Sequence, residues 1–92
     1  MMVLKTTSQF RKDYKRCKKR GLNMDLLEKV IDTLLSGETL AEKYKDHALI
    51  GNYKGFRECH IQPDWLLIYH YGNGKLVLTV MRTGTHSDLL DM

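Results

Sequence analysis

The hydrophobic period of the chain changes once, and this change constrains the fold more than any other feature. Phe10, Tyr14 and Cys17 recur at helical spacing (i, i+4, i+7), and a second helical stripe follows after Asn23. Its members are Leu26, Leu27, Val30, Ile31, Leu34 and Leu35. From residue 55 onward the helical period is lost, and short runs rich in aromatic and β-branched residues take its place. The sequence therefore predicts helices in the first half and a sheet in the second.

The predicted strands are "MVLKT" at the start and then "GFRECHI", "WLLIYHY" and "KLVLTVM". Pro63-Asp64 and the "GNG" at 72–74 separate the last three, and a "GNG" tolerates the positive φ of a tight hairpin. Ser8 is expected to cap the first helix and Asn23 the second, and "SDLLDM" is read as a last helical turn. We predict the order βααβββ, an α+β fold with two N-terminal helices packed on a twisted, mainly antiparallel sheet.

Length and composition bound the class of protein. A chain of 92 residues with 42% hydrophobic and 28% charged residues suits one globular domain, spanning 1–92. Neither a membrane-spanning run nor an apolar leader is visible, so we expect a cytoplasmic protein without membrane contacts. Cys17 and Cys59 are read as reduced thiols, and Cys59 as a small core residue rather than a nucleophile.

Positive charge is concentrated near the N-terminus. The formal net charge is +4, and eight of the fifteen basic residues lie between Lys5 and Arg20, with Asp13 as the single acid among them. Such a block is either a solvated helix face or a surface for a polyanion or an acidic protein. Composition does not choose between these readings.

A set of titratable residues follows the predicted strands. His60 and Asp64 flank the first hairpin turn, Arg82 and His86 bracket the end of the last strand, and His47 lies in the loop that enters the sheet. The central strand is antiparallel to both neighbours, so the ends of the outer two lie near one rim. We expect His60, Asp64, Arg82 and His86 around one shallow site, with His70 at the opposite end of the central strand.

These residue types suit metal-independent RNA cleavage. RNA carries its own nucleophile, the 2′-OH, so a site needs only positioning, proton transfer and charge stabilisation. Histidine can act as base or acid near neutral pH, and arginine can hold a phosphate. A zinc site is the less favoured alternative, because the spacings match no compact ligand motif. We predict no metal or cofactor, and spacing alone leaves ordinary surface histidines as the simpler explanation.

Linked motifs give the prediction more weight. The stretches "YKDHALIGNYKGFRECHIQPDWLLIYHY" and "VMRTGTHSDLL" resemble the YafQ branch of the RelE superfamily of bacterial toxins. The resemblance covers nearly the whole chain and is strongest from residue 44 to 86. It implies a RelE-like fold and a toxin of a type II toxin–antitoxin module. Such a toxin is a ribosome-dependent endoribonuclease that cuts mRNA in the decoding A site and so stops translation.

The resemblance also implies roles for the site residues. His86 is expected to be the general acid and Arg82 the phosphate clamp. His47, His60 and Asp64 share the base and orienting roles, without a ranking among them.

Further residues are assigned to RNA binding. Trp65 either stacks on a base or opens the central strand as a core residue, while Lys45, Lys54 and Arg57 are expected to contact RNA. Leu90 stands where the family has an aromatic residue, so stacking there is expected to be weaker.

The implied partners are a cognate antitoxin, mRNA and ribosomal RNA, and operator DNA only through the toxin–antitoxin complex. Two other function classes remain open. One is a ParE-like toxin, which acts on DNA gyrase and needs no histidine cluster. The other is a non-catalytic nucleic-acid-binding module that uses only the basic helix.

Overall fold

The computed structural model describes residues 2–89, and within them its helices and strands follow the predicted order with one short strand added. They are β1 (Val3–Thr6), α1 (Ser8–Lys19), α2 (Met24–Leu35), β2 (His47–Ala48), β3 (Arg57–Gln62), β4 (Trp65–Gly72), β5 (Val77–Gly84) and α3 (His86–Leu89). The last helical turn predicted at "SDLLDM" is seen as far as Leu89, and residues 90–92 lie outside the described residues. The five strands form one sheet in the order β1-β5-β4-β3-β2. Only the β1–β5 pair is parallel; the other three pairs are antiparallel. The predicted α+β fold is confirmed.

Local signals explain where the helices begin. Asn23 caps α2 as predicted, because its side chain accepts the N–H of Asp25. The cap of α1 is Thr7 and not Ser8, which is the first helical residue. Thr7 has an extended backbone, and its Oγ1 accepts the Phe10 N–H at 2.9 Å and donates to the Met81 carbonyl at 2.8 Å. The cap thus also ties the start of α1 to β5.

Alternation along the strands gives the sheet two different faces. The main core lies between one face and the two long helices, and Trp65, Leu67 and Tyr69 of β4 belong to it. The intervening residues Leu66 and Ile68 point the other way and form a smaller apolar cluster with Leu89. This second face, which the two long helices do not cover, carries the candidate site.

Three features of the sheet differ from the prediction. The two-residue strand β2 was not predicted, because two residues show no period. Strand β5 begins at Val77 rather than Lys75, since Asn73, Gly74 and Lys75 all have positive φ and remain in the turn. A bulge shifts the β4–β5 register between Ile68 and Tyr69.

Two further observations concern the whole described chain. None of the helices within residues 2–89 has the length and apolar content needed to cross a membrane. Cys17 and Cys59 are buried, unpaired thiols. Burial raises the pKa of the Cys59 thiol to about 12, so it is not ionised at neutral pH.

Candidate active site

Three histidine rings lie in a row on the face opposite the two long helices. The ring centroids of His47 and His60 are 6.5 Å apart, and those of His60 and His86 are 5.7 Å apart. The sheet explains this neighbourhood: β2 places His47 at the outer edge, and β3 places His60 beside it. His86 follows the end of β5, two residues beyond Gly84, whose register partner on β4 is Leu66. Leu66 is also the partner of His60.

His86 is held by Asp64. Its Nδ1 lies 2.6 Å from Asp64 Oδ1, and its backbone N–H donates to the same oxygen at 3.0 Å. These two hydrogen bonds, the backbone one first, lower the pKa of Asp64 below its ordinary value. An ionised carboxylate only accepts, so His86 carries a proton on Nδ1. This leaves Nε2 of a half-exposed ring as the atom for exchange with a substrate.

The structure adds Glu58, which the sequence analysis did not select. Its Oε1 lies 3.6 Å from Nε2 of His47 and 3.8 Å from Nε2 of His60. A single carboxylate therefore stands within ion-pair distance of both rings. The available signal was the period of two in β3, which puts Glu58 and His60 on one face.

Arg82 is bound to helix α1. Its Nε and Nη2 donate to the two carboxylate oxygens of Asp13 at 3.0 and 3.1 Å, and the Arg82 side chain is 18% exposed. Asp13 also accepts the backbone N–H of Thr83. The single acid of the basic block is thus a fully buried residue that contacts a predicted site residue.

The turn between β5 and α3 is tightly packed. Thr85 and Asp88 form a reciprocal cap: Thr85 N–H donates to Asp88 Oδ2, and Asp88 N–H donates to Thr85 Oγ1. Arg20 donates two hydrogen bonds to the Asp88 carboxylate, at 2.7 and 3.2 Å. A Cβ on Gly84 would lie 2.8 Å from Asp88 Oδ2, which explains the glycine in "RTGTH".

The expectation that Trp65 stacks on a base is wrong for this fold. Its side chain is only 2% exposed, and its Nε1–H donates to Thr83 Oγ1 at 2.9 Å in the interior. The alternative, a core tryptophan at the start of the central strand, is the one observed. Such a position excludes the ring from contact with a nucleotide.

The other three residues expected to bind RNA lie in different parts of the fold. Lys45 adopts a left-handed conformation, and its carbonyl accepts a hydrogen bond from His47 Nδ1 at 2.7 Å. Lys54 is exposed beside a short 3₁₀ turn at Gly51–Tyr53. Arg57 donates to Asp46 at 3.3 Å, so it is partly engaged within the protein.

His70, which was left out of the site, packs its ring against Phe56 instead.

The basic block divides into two groups. Arg16 and Arg20 form ion pairs with Asp13 and Asp88, and Arg11 donates to Thr6 and Ser8. The lysines of this block are exposed; they are Lys5, Lys12, Lys15, Lys18 and Lys19. The first group holds the structure together, and the second is the surface that a polyanion can meet.

Comparison with known proteins agrees with the fold and identifies the family. A family model described as the bacterial toxin of type II toxin–antitoxin systems, YafQ, matches residues 2–91. This chain belongs to that family of toxins.

Individual relatives are similar over most of their length. The mRNA interferase toxin YafQ of Escherichia coli K12 is 46% identical over 85 residues, which are 90% of this chain and 89% of the relative. A copper-bound mutant toxin from Helicobacter pylori superposes with a TM-score of 0.91 at 39% identity, covering 97% of this chain and 99% of that one. The E. coli DinJ–YafQ complex contains a chain with a TM-score of 0.88 at 37% identity, covering 97% and 98%.

The copper in the Helicobacter toxin raises the question of a metal here. Within residues 2–89 no group of three or more histidine, cysteine, aspartate or glutamate side chains is arranged to hold one. Glu58 lies within ion-pair distance of His47 and His60, and Asp64 is hydrogen-bonded to His86. We assign no chemical step to a metal.

Proposed function

We propose that this toxin is an mRNA interferase, an endoribonuclease that cleaves mRNA in the A site of the ribosome by acid–base chemistry. The observation that carries the proposal is the row of three imidazoles. Asp64 fixes the ring of His86, and Glu58 lies near the rings of His47 and His60. The name of the E. coli relative, mRNA interferase, supports the same reaction.

His86 is the general acid in this proposal. Asp64 holds Nδ1–H and stabilises the imidazolium, so that Nε2–H can be given to the departing 5′ oxygen of the RNA. Asp64 therefore has the orienting role, and His47 and His60 remain as the candidates for the general base.

His47 and His60 supply the base. In the reaction the 2′-OH attacks the adjacent phosphorus and loses its proton, while the bond to the 5′ oxygen breaks. One of the two rings accepts that proton, and the carboxylate of Glu58 stabilises the resulting positive charge. Because both rings lie near the same carboxylate, either one can serve.

Arg82 is proposed to contact the scissile phosphate, where added negative charge develops in the transition state. The exposed lysines of α1, together with Lys45 and Lys54, are proposed to meet the phosphates of ribosomal RNA and mRNA. A cognate antitoxin is the proposed inhibitor, as in the DinJ–YafQ complex of E. coli, and operator DNA is bound only through that complex. Leu90, the residue that replaces the family's aromatic, lies outside the described residues.

The test is primer extension on an mRNA translated in a purified system, with and without ribosomes. We expect wild-type cleavage at codons in frame, only on ribosomes, and a loss of at least about 100-fold in His86→Ala, in the range for a removed general acid. His70→Ala is the matched control, because this histidine packs on Phe56 away from the three-ring row and should leave cleavage unchanged.

Other outcomes point to other functions. Intact mRNA with growth arrest retained in His86→Ala would contradict the proposal. Inhibition of purified gyrase would then indicate a ParE-like toxin, and nucleic-acid binding without cleavage a non-catalytic module.

A further inference from the structure

Asp13 is an unusual residue for the position it holds. It is the single acid in a helix dense with lysine and arginine, yet its side chain is fully buried. Five hydrogen bonds converge on its two oxygens, from Gln9, Arg16, Thr83 and twice from Arg82. A buried carboxylate is costly unless it is paired in this way, so the arrangement binds its partners firmly.

The sheet explains why Asp13 reaches Arg82. The β1–β5 register ends at the pair Thr6↔Val80, so beyond this point β5 no longer pairs with β1 and is paired only with β4. The chain turns into α1 there, held by the Thr7 cap on Met81. Asp13, in the second turn of the helix, accepts the Thr83 N–H on this part of β5 and pairs with the adjacent Arg82 side chain.

We propose that Asp13 is the positioning residue for Arg82 in RNA cleavage, an inference that rests on the proposed function. The paired geometry through Nε and Nη2 defines the plane of the guanidinium as well as its place. Arg82 lies opposite Ile68 in the β4–β5 register, one pair from the Leu67↔Thr83 pair and two from the Leu66↔Gly84 pair that precedes His86. Asp13 thereby links α1 to the site without touching the substrate.

The test is a double-mutant cycle on ribosome-dependent cleavage, with Asp13→Asn, Arg82→Lys and the double variant. Removing the carboxylate displaces the guanidinium, and a misplacement of about 1 Å can lower a rate by about 100-fold. We expect Asp13→Asn to lower kcat by about 10- to 100-fold with KM for programmed ribosomes nearly unchanged. We expect no further loss when it is added to Arg82→Lys, because both changes break the same pair.

Matched controls separate positioning from folding. Asp32→Asn replaces an exposed aspartate on α2 and should keep the wild-type kcat. Thermal melting of each variant checks that its melting temperature lies above the assay temperature. Should Asp13→Asn fail to fold, Asp13→Glu replaces it in the cycle, since it keeps the charge but moves the carboxylate by one methylene.

Independent, multiplicative losses in the double variant would overturn the proposal, as would a wild-type kcat in folded Asp13→Asn or Asp13→Glu. Absence of cleavage by the wild-type protein contradicts the proposed function instead, and is thereby distinguished from a failure of this inference.

Discussion

At the scale of single residues, the site depends on contacts between positions far apart in the chain. Asp13 and Arg82 are 69 residues apart, Arg20 and Asp88 are 68 apart, and Asp64 and His86 are 22 apart. None of these pairs has a local signature. The residue types indicate the chemistry, whereas the strand register determines which of these side chains are in contact.

Gly84 gives a prediction at this scale. Because a Cβ here would lie 2.8 Å from Asp88 Oδ2 and 3.3 Å from Arg16 Nη2, Gly84→Ala must displace the cap that precedes α3. We expect a loss of about 1–3 kcal/mol in the free energy of unfolding, the usual cost of overpacking, measured by urea denaturation. In Gly72→Ala the nearest side-chain atom is 3.6 Å away, so the change should stay within about 0.5 kcal/mol. Equal stability of the two variants would contradict the steric argument.

At the scale of elements, α3 is the one that most needs help from elsewhere. A helix of four residues has no stability of its own, because forming the first turn is unfavourable. Its position comes from the Thr85–Asp88 cap, from Arg20 of α1 and from the burial of Leu89. Since His86 is the first residue of α3, these contacts also hold the proposed general acid.

The clamp between Arg20 and Asp88 predicts a pH dependence of stability. The Arg20 hydrogen bond, as the main cause, holds the pKa of Asp88 well below its ordinary value, so the folded state binds fewer protons than the unfolded chain. The stabilisation is therefore complete above the unfolded pKa of about 3.9 and is lost as the pH falls through the folded value. Urea denaturation between pH 2 and pH 7 should show a steeper acid loss in the wild type than in Asp88→Asn. Parallel curves would contradict the assignment.

At the scale of the whole molecule, the basic residues near the N-terminus fall into two groups, arginines that pair with carboxylates and lysines that face solvent. Arg16 and Arg20 neutralise buried or half-buried carboxylates, whereas lysines such as Lys15 and Lys19 stay exposed on α1. The net charge of +4 therefore understates how strongly this one helix is positive toward solvent.

This division predicts the salt dependence of ribosome binding. If Lys15 contacts a phosphate, Lys15→Gln should lower the slope of log affinity against log salt by about 1, with little change in stability. The measurement is a binding titration on ribosomes at several salt concentrations. Lys29→Gln, on the exposed side of α2, is the matched control and should leave the slope unchanged. An unchanged slope in Lys15→Gln would remove this lysine from the interface.

By itself the sequence determined the class of fold, the starts of the two long helices to within one residue, and the residue types of the site. These are local properties, since periodicity, caps and turn residues act over a few neighbours, as at Asn23 and the "GNG" turn. The family motifs added roles for the histidines and Asp64, but they could not say which of these side chains are in contact.

Only the tertiary structure decided that Trp65 is buried, that Glu58 stands between two histidines and that Asp13 holds Arg82. Strand order, the two-residue strand β2 and the bulge in β4–β5 set these contacts. They depend on pairing between distant segments, for which a local pattern carries no information. A one-residue shift in strand register would send Glu58, Trp65 or Arg82 to the opposite face of the sheet.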